Sequence, residues 1–343
     1  MSSFRQEIGE QPEVAARLLG QRAAIEAIGA AINAASPVGI MIAARGSSDH
    51  AAIYAKYIFQ SRNRLPVALA APSLFTHYGL APRVDRYCVM GISQSGSSPD
   101  VTAVIAEARR QGALTIAISN HPDSQLAAAA EHQIGLNAGR EHSVPASKTY
   151  TATLMAIAML SLAMNPDAAF DAGLRAIPGA LRLAMNCEDH AASMAAALPG
   201  PRLIVIGRGF NLSTAEEIAL KLTETSYVLA RAWSAADFLH GPIAVLDRGF
   251  PVLVVETAGP AFGETRRLAT QLLAKGTPVF QLADATSPLS DGTPAIRLHS
   301  GLPESLTPLP LTIAGQLLAY HLAKARGLDP DRPRALKKVT QTW

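Results

Sequence analysis

Residues 87–100 read Tyr-Cys-Val-Met-Gly-Ile-Ser-Gln-Ser-Gly-Ser-Ser-Pro-Asp. The first six form an apolar run of strand length. Pro99 suits the first turn of a helix and Ser98 suits its N-cap, so a helix is expected over Pro99–Arg110. Between them lie four serines and a glycine within six residues, Ser93 to Ser98. A loop of small hydroxyl residues leading into a helix N-terminus offers many donors to an anion. A plain capped loop has the same ingredients, but serines this dense between strand and helix favour phosphate binding by Ser93, Gln94, Ser95 and Ser98.

The pattern around this loop occurs twice. Val38 to Ala44 is an apolar strand ending in Arg45-Gly46-Ser47-Ser48, with a helical segment from Asp49 to about Arg62. Leu203 to Ile206 is a strand ending in Gly207-Arg208-Gly209, with a helical segment from about Leu212 to Leu229. The two arginines stand 163 positions apart (208 − 45). The same shift carries the strand at 87–92 onto Phe250 to Val255. Helix Pro99–Arg110 then pairs with Gly263–Ala274, and the strand Leu114–Ile118 with Pro278–Leu282. Such self-similarity marks a duplicated unit. Continuous apolar strands alternating with helices imply parallel sheets covered on both faces. In such sheets ligands bind beyond the carboxyl ends of the strands. Ser47 and Ser48 then form a second wall for the anion, or cap the helix behind them.

The second copy differs at the decisive place. Where the first has its serines, the second has Glu256-Thr257-Ala258-Gly259-Pro260-Ala261, and a carboxylate there would repel phosphate. One phosphate site, in the first half, is expected. Gly207-Arg208-Gly209 lacks the last glycine of a dinucleotide fingerprint.

Bulk properties exclude other classes. Of the 343 residues, 49% are hydrophobic and 17% charged, which suits a large core and two domains. A net charge of +3, with no basic stripe, gives no footprint for nucleic acid. The longest apolar run, Thr151 to Met164, is too short to span a bilayer and reads as a buried helix. Cys88 and Cys187 make no disulfide framework, so a cytoplasmic location is expected. The histidines are scattered without metal-binding spacing, and no metal or other cofactor is expected.

With these features in view, the chain resembles the SIS (sugar isomerase) family. The loop SQSGSSPD (93–100) is similar to that family's phosphosugar signature. The resemblance continues through EIGEQP (7–12), RGSS (45–48), EHSVPASKTYT (141–151), ALKLTETSYVLARAWSAADFLHGP (219–242) and DPDRPRALKKVT (329–340). It implies an α/β fold of two tandem doubly wound SIS domains, each a parallel sheet flanked by helices. The expected layout is an N-terminal helical segment (1–34), a phosphate-binding first domain (35–165), a helical linker (166–198), a second domain (199–328) and a C-terminal tail over the active site (329–343).

Within the family the chain resembles the isomerase half of glucosamine-6-phosphate synthase and stand-alone aminosugar-phosphate deaminases. It begins Met1-Ser2-Ser3-Phe4 and runs straight into this unit, so the sugar half of the chemistry is expected without a glutaminase part. The implied reaction converts glucosamine-6-phosphate to fructose-6-phosphate and ammonia without a metal. The resemblance makes Glu224 the base at C2, although pairing with Lys221 on a solvated helix would use the same residues. Lys221 orients Glu224 or the substrate. His240, in His-Gly-Pro, becomes the ring-opening acid/base. The resemblance further implies that it reaches the site from a neighbouring subunit, in a homodimer. Lys338 becomes the tail lysine over the sugar, able to react with the open-chain carbonyl, with Lys337 beside it leaving the register open. Val144, Ala146 and Ser147 line the sugar, and Pro145 departs from the family pattern by removing a backbone donor. A fructosamine-6-phosphate deglycase or a galactosamine-6-phosphate deaminase would share these residues. A non-catalytic phosphosugar-binding protein is the alternative of another class.

Overall fold

The computed structural model describes residues 2–284 and 292–338. The chain folds into two compact units, each assembled from separate segments. One contains Glu13–Glu141, Lys148–Arg175 and the tail from residue 336. The other contains the chain up to Pro12, His142–Ser147 and Ala176–Ala335. No helix among the described residues is long and apolar enough to cross a membrane.

The first of these units is built on five parallel strands, β1 (Ile40–Ala43), β2 (Val67–Leu69), β3 (Cys88–Ser93), β4 (Leu114–Ser119) and β5 (His132–Gly135), in the order β2-β1-β3-β4-β5. Every residue of β3 is buried, which explains its unbroken apolar run. One face packs Ala43, Val89 and Ala117 against Val101, Val104, Ile105 and Ala108 of helix Pro99–Arg110. Helix Lys148–Met164 packs on helices Arg22–Ala35 and Ser47–Arg62. It contains the Thr151 to Met164 run and is buried along nearly its whole length.

The other unit repeats this plan with β6 (Arg202–Gly207), β7 (Leu229–Ser234), β8 (Val252–Glu256), β9 (Val279–Asp284) and β10 (Ala295–Leu298), in the order β7-β6-β8-β9-β10. The register repeats as well. Ile40 faces Val67, and Leu203 faces Ala230, each 163 positions on. Met41 faces Val89, and Ile204 faces Val252, at the same shift. In each sheet the order reverses between the first and third strands, so the loops leaving those two strands flank an open crevice.

Several elements differ from the sequence expectation. The helix expected to run to about Leu229 stops at Ser226, where Tyr227 takes a left-handed φ of +53°. Leu229–Ser234 then forms β7, at the sheet edge. Strands β2, β5 and β10 were equally absent from the sequence reading. All four carry polar or half-exposed residues because they lie at edges, where one side lacks a neighbour. Helix Ser47–Arg62 begins two residues early and takes Ser47 and Ser48 into its first turn. Its N-cap is Gly46, at φ +56°.

The first helix, Ser3–Gly9, is tied to the far end of its own unit. The Asp331 carboxylate accepts from Ser2 Oγ (2.6 Å), Ser3 N (2.9 Å) and Phe4 N (2.8 Å). An anion among orphan N–H groups satisfies both hydrogen bonding and the helix dipole. Asp331→Ala is expected to destabilise this unit by about 1–2 kcal/mol, read as a lower melting midpoint than wild type. An unchanged midpoint would show that the cap contributes nothing.

Candidate active site

The serine loop leaves the carboxyl end of β3 at the crevice beside β1. Gly96 has φ +62°, and a Cβ on it would lie 2.1 Å from Ser124 Oγ, so only glycine fits the turn. Ser93 Oγ accepts from Gly96 N (3.1 Å), and Ser95 Oγ accepts from Ser97 N (3.2 Å). Ser98 stands at the N-cap of helix Pro99–Arg110, but its hydroxyl makes no capping bond. It lies 3.1 Å from Ser93 Oγ instead. The expected cap is therefore absent, and the first N–H groups of that helix are not occupied by it. Gln94 holds the loop through its carbonyl, which accepts from Asn120 N at 3.1 Å. A cavity of about 370 Å³ opens here, lined by Ser95, Ser97, His121, Pro122, Asp123 and Ser124. His121 and Ser124 escaped the sequence reading because they follow β4, which carries no motif.

The turn after β1 is locked to the helix after the serine loop. Arg45 Nε donates to Asp100 Oδ2 at 2.7 Å, and the Asp100 side chain is fully buried. Val101 N donates to Asp100 Oδ1 at 2.8 Å. Burial pushes the Asp49 carboxyl above its ordinary value, against the opposing charges of His50 and Arg45. The second sheet keeps the lock, with Arg208 Nε on Glu264 Oε2 at 2.9 Å, but not the serines. Its Glu256 is buried at the end of β8, bonded by Gln281 Nε2 (2.5 Å) and paired with Arg266 (3.2 Å). Burial raises the Glu256 carboxyl, and Arg266 and Gln281 pull it back.

The loop around Val144 is held from both chain ends. Within one unit, the buried Glu7 carboxylate accepts from His142 N, Ser143 N and Ser143 Oγ, and the Asp331 carbonyl accepts from Val144 N (3.1 Å). Ser143, Pro145 and Ser147 are buried, whereas Val144 and Ala146 are partly exposed. Ser147 presents its carbonyl to Gln316 Nε2 at 3.3 Å. Within the other unit, Lys338 Nζ donates to Glu141 Oε2 at 2.7 Å, on a side chain with no exposure. Thr149 Oγ1 (2.8 Å) and Thr149 N (3.2 Å) donate to the same carboxylate. The adjacent Lys337 is exposed.

Helix Leu212–Ser226 carries Glu217, Lys221 and Glu224. Lys221, at 1% side-chain exposure, lies 2.5 Å from Glu224 Oε2 and 3.5 Å from Glu217 Oε1. Glu217 is as buried as Lys221, whereas Glu224 is 21% exposed. The pairing expected of a solvated helix is thus present, but in a buried setting. Two carboxylates around one ammonium leave Glu224 anchored on one side and open on the other. His240 caps the short helix Ala235–Leu239 in an exposed loop, and its ring has no hydrogen bond or ion pair among the described residues. Among the described residues, no group of three or more His, Cys, Asp or Glu side chains could hold a metal ion.

The family pattern of the SIS domain matches residues 36–163 and again 199–324. The chain belongs to the SIS domain family. The first SIS match contains β1 to β5 and the serine loop. The second contains β6 to β10, Lys221, Glu224 and His240, and Lys338 lies beyond it. The chain is 33% identical over 302 residues to a glutamine–fructose-6-phosphate aminotransferase (isomerizing) of Methanothermobacter thermautotrophicus, covering 87% of this chain and 51% of that protein. It is 32% identical over 359 residues to the protein of that name from Xanthomonas campestris, covering 98% and 58%. The chain thus spans about half the length of the curated relatives it matches. Among solved structures, a phosphosugar isomerase candidate from Silicibacter pomeroyi superposes with a TM-score of 0.87 at 34% identity, over 96% of this chain and all of that one. The C-terminal domain of glucosamine-fructose-6-phosphate aminotransferase from Francisella tularensis gives 0.86 at 25% identity, over 96% and 98%.

The buried cluster makes unequal demands on its members. Lys221→Met removes the buried ammonium that faces both Glu217 and Glu224 and should cost about 3–5 kcal/mol. Glu224→Gln keeps the Lys221–Glu217 pair and should melt close to wild type. Thermal melts of both variants check this, and equal midpoints would contradict it.

Proposed function

We propose that the protein is an aldose–ketose isomerase of phosphorylated sugars, acting as an aminosugar-phosphate deaminase on glucosamine-6-phosphate. The observation that carries the reading is the Glu224 carboxylate, anchored by buried Lys221 at 2.5 Å and open on its other side. A general base needs that combination of fixed position and access. The serine loop supports a phosphate on the substrate. The relatives' names join fructose-6-phosphate, amino transfer and isomerisation in proteins that this chain matches over most of its length.

In this reading Ser93, Gln94, Ser95 and Ser98 hold the phosphate, with Ser47 and Ser48 as the second wall. Val144, Ala146 and Ser147 border the sugar. His240 moves the proton that opens the ring. Glu224 takes the proton from C2 and returns it to C1, leaving an imine at C2. Water adds to that carbon, ammonia leaves, and fructose-6-phosphate remains. Lys338, once its proton passes to a base, can add to that carbon in place of water and expel ammonia, and water then hydrolyses the lysine imine to release fructose-6-phosphate. The ring of His240 has no partner among the described residues and lies between exposed Leu239 and Val245. That placement supports its use by a second copy in a homodimer.

Incubation with glucosamine-6-phosphate should yield fructose-6-phosphate and ammonia, with solvent deuterium entering C1. Glu224→Gln should lower kcat by about 10²–10⁴-fold. Mixing Glu224→Gln with His240→Asn, each inactive alone, should restore part of the activity if sites are shared. Turnover equal in wild type and Glu224→Gln would sink the reading. Faster turnover of galactosamine-6-phosphate or a fructosamine-6-phosphate would move the substrate but keep the residues.

A further inference from the structure

The serine cradle offers hydroxyls and backbone N–H groups, yet the phosphate of a sugar carries nearly two negative charges at neutral pH. Asp100 adds another negative charge two residues after Ser98. The position of Arg45 answers both. Ala43 pairs with Gly91, so Arg45 leaves β1 level with Ser93, where the serine loop begins on β3. Its guanidinium is half-exposed, while Asp100 beneath it is fully buried.

Only Nε is engaged, with Asp100 Oδ2 at 2.7 Å. Among the described residues the Arg45 side chain makes no other hydrogen bond. An arginine serving only as counter-ion to a carboxylate is commonly held two-pronged. The Nη groups make no hydrogen bond among the described residues, on a side chain that is half-exposed. Asp49 and His50, on the helix that follows the Arg45 turn, are the other charged groups that act on or beside it.

The duplicated unit supplies the control. Arg208, 163 positions on, gives Nε to Glu264 and also gives Nη1 to Ser234 Oγ at 3.2 Å. Ser234 is the N-cap of the helix after β7, and the matching N-cap after β2 is Ala71, which has no hydroxyl. The second arginine is therefore held from two sides, beside a loop without serines. The first is held from one side, beside a loop full of them.

We propose that Arg45 is a direct ligand of the substrate phosphate, with Asp100 as the positioning residue that aims its Nη edge into the serine cradle. The inference rests on the reading of that loop as the phosphate site. It adds a permanent cation beside a cavity lined by Ser95, Ser97, His121, Pro122, Asp123 and Ser124, and guanidinium geometry matches phosphate oxygens.

Calorimetric titration with fructose 6-phosphate tests it without requiring turnover. Arg45→Met should weaken binding by about 10–100-fold and flatten its salt dependence. Arg45→Lys should fall between Arg45→Met and wild type. The double variant Arg45→Met/Asp100→Asn separates a ligand from a mere counter-ion. If Arg45 only neutralised Asp100, removing both charges would restore wild-type affinity, whereas a phosphate ligand leaves the double variant weak. Wild-type affinity in Arg45→Met, or its return in the double variant, overturns the proposal. If Ser95→Ala/Ser98→Ala weakens binding and Arg45→Met does not, the cradle stands and Arg45 falls. Absence of binding to wild type would remove both.

Discussion

A parallel strand cannot reach its neighbour by a tight turn. Each connection must cross a face of the sheet, and helices Ser47–Arg62, Pro99–Arg110, Leu212–Ser226 and Phe262–Ala274 make four of these crossings. Both faces are then covered, the central strands become largely apolar, and their polar residues are pushed to the strand ends. With the order β2-β1-β3-β4-β5, the chain leaves β1 and β3 in opposite directions, and the gap between those exits stays open. The serine loop, Arg45 and Asp100 all occupy that gap. The second sheet obeys the same constraint, with Arg208, Glu264 and Glu256 at the corresponding ends.

Buried carboxylates form the second layer of organisation, and each is matched by donors. Asp100 receives Arg45 and Val101 N, Glu7 receives His142 and Ser143, and Glu141 receives Thr149 and Lys338. Glu217 and Glu224 share Lys221. An unpaired buried charge costs several kcal/mol, so these contacts hold loops in place that apolar packing could not specify. Within one unit Glu7 and Asp331 hold the opening helix and residues 142–144, and within the other Glu141 holds Thr149 and Lys338.

Much of the fold was legible because burial on both faces writes itself into composition. β3, β4, β6 and helix Pro99–Arg110 follow the apolar runs closely. The edge strands β2, β5, β7 and β10 did not, since half-exposed strands carry residues such as Arg231 and Arg297 that break the run. The serine loop was legible as a site because its residues are neighbours in sequence. Arg45, Glu141 and Glu217 stood inside quoted or adjacent segments, yet nothing local distinguishes them from surface charges. Their partners Asp100, Lys338 and Lys221 define them, and two of those pairings span long stretches of chain.

By itself, then, the sequence determined the duplication, the parallel α/β plan, and the restriction of the serine cradle to the first copy. These follow from periodicity and composition, which are properties of short windows. Tertiary structure alone decided that Ser98 turns to Ser93 instead of capping its helix, that Lys338 and not Lys337 meets a buried carboxylate, and that Lys221 is buried between two glutamates. It also decided that Arg45 keeps an open edge where Arg208 does not. Each of these depends on which distant donor or acceptor arrives at a given atom, and only the folded chain fixes that.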